Sequence, residues 1–136
     1  MTWPLPRSVA KAVGVDLQVV DYAVADKQAK AVAGGTATIT FDQVPGGYLW
    51  RVERIVVTTT SAQQVTVTAY AGDALPIRLR DSTPLPVGYS AVGEYPAMLT
   101  ILDGLSLLVV VSGGVAGDTV TASVQYQLVQ RAAAGG

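Results

Sequence analysis

The residues with the most chemical promise lie between Gly113 and Thr119, where Gly113, Val115, Gly117, Asp118 and Thr119 follow a Val-rich run in the manner of a phosphate-cradling loop. Such a loop needs the spacing G-x-x-x-x-G-K-[ST], with its lysine reaching the phosphates. Here Gly113 to Gly117 is one residue short, and Asp118 stands where the lysine should be and would repel phosphate. The segment is therefore expected to be a turn, with Asp118 as a turn residue ahead of the last strand.

Carboxylates could hold calcium or form the acid–base pair of a glycosidase. Asp16, Asp21 and Asp26 recur at intervals of five, which gathers them on neither a helix face nor a strand face, and no D-x-D-x-D-G run occurs. Asp42 and Asp103 each sit at a turn, a sufficient reason for an acid. A Ser–Lys nucleophile pair needs a lysine beside an exposed serine. Lys11, Lys27 and Lys30 all fall near the start of the chain, and no G-x-S-x-G elbow accompanies them. The chain has no His and no Cys, which removes the Ser-His-Asp triad, the thiol nucleophile, zinc sites of His or Cys and any disulfide. No catalytic, cofactor-binding or metal-binding residue is assigned, no cofactor is expected, and the protein reads as a non-enzyme.

The 9 basic and 10 acidic residues are spread without a run over 136 positions, so there is no electrostatic footprint for nucleic acid or for an anionic membrane. The longest apolar stretch, Leu107 to Val111, is far too short to span a bilayer as a helix. Pro4 and Pro6 fall where a secretory leader would place its apolar helix, so the product is expected to stay in the cytoplasm that makes it until it is assembled. The absence of Asn and the presence of only three Lys, whose codons are AT-rich, point to a GC-rich genome.

The elements that must carry these residues read as strands. Twenty-two Val and 13 Thr make about a quarter of the chain β-branched, which suits pleated surfaces and strains helices. Period-two alternation marks strands over 36–42, 65–70 and 120–128. Tyr48 to Thr60 begins in alternation and then runs Ile55-Val56-Val57 unbroken, which calls for a bulge or a strand covered on both faces. Asp103-Gly104 should turn a hairpin between 97–102 and 105–112. Residues 77–95, with Pro84 and Pro86 inside and Pro96 just beyond, read as a long edge loop holding one or two short strands. Trp50 is expected in the core.

Three segments result: 1–35, an arm with a possible short helix between Pro6 and Gly14 and one strand over 15–24; 36–130, a β-sandwich; and 131–136, a flexible tail. A helical stripe of Val9, Val13, Leu17, Val20 and Val24 competes with that first strand, but Gly14 would interrupt it. Trp3 between Thr2 and Pro4 is the best external anchor, since a proline-stiffened arm loses little entropy on docking. The interface residues are taken to be Trp3, Pro4, Leu5, Pro6, Arg7, Arg78 and Arg80. The mixed charges Arg51, Glu53, Arg54, Arg78, Arg80 and Asp81 fit either contacts with a neighbouring subunit or pairing within the chain.

The stretch Val44-Pro45-Gly46-Gly47-Tyr48-Leu49-Trp50-Arg51-Val52-Glu53-Arg54-Ile55-Val56-Val57, followed by Tyr70-Ala71-Gly72, Arg80-Asp81-Ser82-Thr83 and the run Leu107 to Gly114, resembles segments of small β-rich virion proteins of tailed bacteriophages infecting GC-rich actinobacteria. The resemblance covers about residues 37–130 and rests on turns and strand starts. It implies a single jelly-roll-like antiparallel sandwich in a virion, decorating the capsid or serving as a minor capsid protein. The partners it implies are the major capsid protein and further copies of the chain, a trimer by analogy. A minor tail or fibre-associated module bound to tail proteins is the second expectation. A third, of another class, is a carbohydrate-binding module with Tyr70, Tyr89 and Tyr95 as its platform.

Overall fold

In the computed structural model, residues 16–132 are described, apart from the side chains of residues 16, 17, 96–98 and 132. Eight strands follow in chain order: β1 (Asp16–Lys30), β2 (Ala37–Thr40), β3 (Tyr48–Thr59), β4 (Val65–Ala71), β5 (Leu79–Leu85), β6 (Ala91–Leu102), β7 (Leu107–Ser112) and β8 (Thr119–Ala132). A single 3-10 turn, Pro76–Arg78, precedes β5. Two four-stranded sheets are ordered β1-β8-β3-β6 and β2-β7-β4-β5. The first strand pairs with the last, the second with the seventh, the third with the sixth and the fourth with the fifth, all antiparallel. One long double-stranded ribbon has thus rolled up until β8 lies beside β3 and β7 beside β4, the path of a jelly roll.

Alternation in the sequence decides which side chains meet between the sheets. Ala37 and Ile39 of β2, Val65, Val67 and Ala69 of β4, and Val109 and Val111 of β7 are buried, while the Thr residues of β2 and β4 lie on the outer face. In β3 the pattern changes phase. Trp50 and Val52 are buried, then Ile55 and Val57, because Glu53 is an extra residue with no partner in β8. The bulge turns the unbroken Ile55-Val56-Val57 run back into alternation, with Val56 on the outer face. Trp50 is a core residue, and its ring stacks on Tyr126 at 3.9 Å between centroids and 15° between planes.

Four expectations need correction. Asp103-Gly104 makes a turn but not a hairpin, because β6 pairs with β3 in the first sheet and β7 with β2 and β4 in the second, so the turn carries the chain from one sheet to the other. The strand expected over 15–24 spans Asp16–Lys30 and pairs along nearly all of β8, so it is an edge strand of the first sheet. Residues 77–95 are largely ordered strand, since β5 is complete and β6 already begins at Ala91. The prolines are tolerated because β5 and β6 are edge strands, where a missing amide donor faces no neighbour. Pro96 lies in a four-residue excursion of β6, residues 95–98, opposite the Glu53 bulge. Residues 131 and 132, expected in a tail, are the end of β8, and the rest of the expected tail, 133–136, lies outside the described residues. The helix expected between Pro6 and Gly14 lies outside the described residues.

At one end of the sandwich two loops are sewn together. Gly114 donates to the Gly35 carbonyl at 3.0 Å, Gly117 to Ala31 at 2.9 Å, and Ala31 to Asp118 at 2.8 Å. Gly35 has φ +80°, and a Cβ there would run into the Gly114 carbonyl, whereas Gly34, at φ +96°, faces open space. Gly35→Ala is therefore expected to destabilise the protein by roughly 1–3 kcal/mol more than Gly34→Ala. Urea unfolding of the two variants side by side measures the difference, since both carry the backbone penalty and only one carries the collision.

Candidate functional site

The phosphate-loop comparison fails in three dimensions as it does in sequence. The Val115 amide is held by Asp118 Oδ2 at 2.8 Å, and the amides of Gly114, Gly117 and Asp118 are taken by backbone carbonyls. The donors that would cradle an anion are already bonded. Among the described residues there is no group of three His, Cys, Asp or Glu side chains placed to hold a metal ion, and no helix is long and apolar enough to cross a membrane.

The more informative surface is the face of the first sheet turned away from the second. Strand register places Leu102 beside Leu49, Leu49 beside Val129 and Val129 beside Val19, an aliphatic row crossing all four strands. Its ends are open, with Leu102 48% and Val19 37% exposed, while its centre is closed, with Leu49 at 7% and Val129 at 0%. Leu49 and Val129 do not belong to the cluster between the sheets. The next row is Thr100, Arg51, Gln127 and Tyr22, and beyond it come Glu94, Arg54, Gln125 and Val24. Arg54 Nε is the one buried side-chain polar atom without a hydrogen-bond partner among the described residues. An orphaned charged donor is costly to leave and is the kind of group a partner satisfies.

Leu102 also borders a hollow of about 390 Å³ at the β5 edge, lined by Arg78, Arg80, Leu99 and Leu105. The two arginines singled out from sequence are thus brought together at the start of β5. Arg80 Nη1 donates to the carbonyls of Ile77 and Leu79, both at 3.2 Å, and neither arginine forms an ion pair with a described residue. Leu75, Ile77 and Leu79 stand exposed between and beside them. Trp3, Pro4, Leu5, Pro6 and Arg7 lie outside the described residues; the chain enters β1 at this same end, where Asp16 pairs with Ala132. Of the other charges, Lys27 pairs with Asp42 at 3.2 Å and Arg131 with Asp103 at 3.6 Å, both at the surface.

A second feature lies where the edges of the two sheets, β5 and β6, face each other without forming a backbone ladder. A cleft of about 370 Å³ opens there, and core residues Ile55, Val57, Val67 and Val109 form its floor. On β5, Asp81 is registered against Ala69 and Thr83 against Val67, so both polar side chains occupy inward-facing positions. On β6 the matching inward position opposite Ile55 is Gly93. Tyr95 folds over that glycine and donates from its hydroxyl to Asp81 Oδ2 at 2.8 Å, joining the two sheets across their open side. A Cβ at Gly93 would meet the Tyr95 oxygen at 2.5 Å. Tyr89 stands at the rim, 70% exposed. Of the expected aromatic platform, Tyr89 and Tyr95 come together and Tyr70 does not.

Burial first, then the bond to Asp81 and the charge of that carboxylate, push the Tyr95 hydroxyl well above the ordinary tyrosine range. Burial, then the charges of Asp21 and Asp42, move Tyr126 in the same direction.

No protein-family model matches the chain, and no curated protein matches it. In fold the chain is similar to a protein in the atomic structure of Sulfolobus turreted icosahedral virus, at TM-score 0.50 and 18% identity over 85% of this chain and 31% of that one. The viral protein is thus about three times longer than the part matched. The cyanophage Pam1 capsid asymmetric unit gives TM-score 0.41 and 16% identity over 84% of this chain and 86% of that one. A pilus protein of Bacillus endospore appendages gives 0.44 and 14% over 84% and 88%. At 18% identity the likeness to the Sulfolobus virus protein is one of fold alone.

A tyrosine whose folded pKa is raised stabilises the fold fully below the unfolded value of about 10 and loses that contribution as pH climbs above it. Stability in urea should therefore fall between pH 9 and 11.5 in steps of half a unit, and Tyr95→Phe should flatten much of that fall, leaving the smaller share of Tyr126. An equal slope in the wild type and the variant would remove Tyr95 from this role.

Proposed function

We propose that the protein is a non-enzymatic structural subunit of a bacteriophage virion, decorating the capsid or serving as a minor capsid protein. The observation that carries this reading is the open apolar patch at the start of β5, where exposed Leu75, Ile77, Leu79 and Leu102 accompany Arg78 and Arg80. Exposed apolar side chains beside cations that form no ion pair with a described residue make a surface suited to burial against another subunit. The orphaned Arg54 Nε on the outer face of the first sheet supports it. The jelly-roll fold, which viral coat domains commonly use, is compatible and by itself specifies no function.

In this reading the N-terminal residues Trp3, Pro4, Leu5, Pro6 and Arg7 join Arg78 and Arg80 in gripping the major capsid protein, since β1, which follows them in the chain, begins at the end of the sandwich where β5 begins. Copies of the chain associate with one another, as a trimer by analogy. Synthesis takes place in the host cytoplasm and the product resides in the virion. Neither nucleic acid nor membrane is a partner. A tail or fibre-associated placement is the second reading, and copy number separates the two.

Quantitative mass spectrometry of the purified source particle tests this. A ratio to the major shell subunit matching the shell's local symmetry is expected; a handful of copies moves the protein to the tail, and absence overturns a virion role. In a shell-binding assay, deletion of residues 1–14 should abolish attachment with the circular dichroism unchanged. Arg80→Glu, at an exposed position, should weaken attachment by roughly tenfold or more.

A further inference from the structure

We infer that the cleft between β5 and β6 is a binding site for a neutral saccharide, a role separate from the attachment surface. Three features of its making carry this.

The first is that the cleft is built into the core and is not a gap between loops. An antiparallel sandwich ordinarily fills its inward positions with apolar side chains, as this one does with Trp50, Val52, Ile55 and Val57 of β3, Val65, Val67 and Ala69 of β4, and Leu107, Val109 and Val111 of β7. At the β5–β6 side those positions hold Asp81, Thr83, Ala91 and Gly93. Small residues leave the space, and polar ones face into it. Inward charge on an edge strand also discourages pairing with stray strands. That role alone would not require an opposing glycine or an aromatic ring seated over it.

The second is the pattern of chemistry. The floor is aliphatic, the walls offer hydroxyls from Thr83, Ser90 and Tyr95, and among the described residues the one charged lining side chain is Asp81. Asp81 accepts from the Tyr95 hydroxyl at 2.8 Å and from the Ser82 amide at 2.9 Å, which leaves each oxygen with acceptor capacity to spare. No Lys or Arg among the described residues lines the cleft, so an anion would meet the charge of Asp81. A wholly apolar ligand would leave the carboxylate and hydroxyls desolvated and unpaired. What fits is a neutral molecule with hydroxyl donors on its edges and a C–H face, which describes a sugar ring.

The third is Tyr89 at the rim, an exposed aromatic ring within reach of anything seated on that floor. Aromatic rings contribute binding through contact with C–H faces while their hydroxyls stay wet. The volume lies at the lower end of small-ligand sites, and the site is preformed by two rigid strands.

The full chain would be screened against an array of neutral, acidic and amine-bearing oligosaccharides. Neutral hexose and pentose trisaccharides would then be titrated by calorimetry and by amide chemical-shift mapping. Expected are saturable binding to at least one neutral trisaccharide and shifts confined to β5, β6 and the turn between them. Tyr89→Ala should lower the affinity about tenfold with an unchanged unfolding midpoint. Gly93→Ala should abolish binding by displacing Tyr95 into the cleft; any loss of stability in that variant leaves the Tyr89 result standing on its own. Silence up to about 10 mM for every neutral probe overturns the inference. So does binding that Tyr89→Ala does not weaken, or preference for a cationic amine over neutral sugars. None of these outcomes bears on copy number in the particle, so the structural role stands or falls separately.

Discussion

One extra residue in β3 governs how this protein presents itself. Without the bulge at Glu53, the strand could not turn Trp50 and Val52 and also Ile55 and Val57 toward the second sheet, since the two pairs are out of phase by one position. The same residue sends Leu49 and Arg51 outward before the bulge and Arg54 and Val56 outward after it. It also forces an answer from β6, which leaves the ladder for residues 95–98 and rejoins at Leu99. Tyr95 heads that excursion, and from there its hydroxyl reaches Asp81 on the other sheet. The core, the outer face and the cleft are thus three consequences of one interruption in hydrogen bonding.

Much of the fold was legible because alternation is a direct record of which face is wet. The strands β2, β4 and β8, the turn at Asp103-Gly104 and the interruption near Ile55 could all be read from side-chain type alone, whereas nothing in that dipeptide tells that the strands it joins belong to different sheets. The extent of β1 could not, since an edge strand with exposed Val20, Tyr22 and Val24 and evenly spaced charges lacks the contrast that alternation needs. β5 was obscured for a related reason: its inward positions include Asp81 and Thr83, so the polar–apolar code is inverted where the cleft opens. Prolines in β5 and β6 then weighed toward a loop, although an edge strand can hold them. The aliphatic row is a property of register between four strands, and no single segment of sequence contains it.

Arg78 and Arg80 could be picked out because paired cations in a low-charge chain stand out. Their apolar company from Leu102 and Leu105 arrives through the fold. The proposed attachment surface and the proposed sugar cleft share the β5 edge but use opposite stretches of it, the start for one and the middle for the other. A subunit anchored by the β5 start and the outer face of the first sheet would still leave the Tyr89 rim open to solvent. The fold suits such a module, as the jelly roll offers two broad faces and two loop ends for separate uses.

The pairing of β1 with β8 has a mechanical consequence. Asp16 lies opposite Ala132, so both ends of the described chain leave from one corner, side by side. Forces pulling those two ends apart would peel the strands bond by bond, the weakest way to load an antiparallel ladder. Forces applied to both ends in the same direction would load the two strands together and leave the bonds between them unstrained. A subunit held to a surface at that corner would therefore resist being dragged away from it far better than it would resist having its own ends separated.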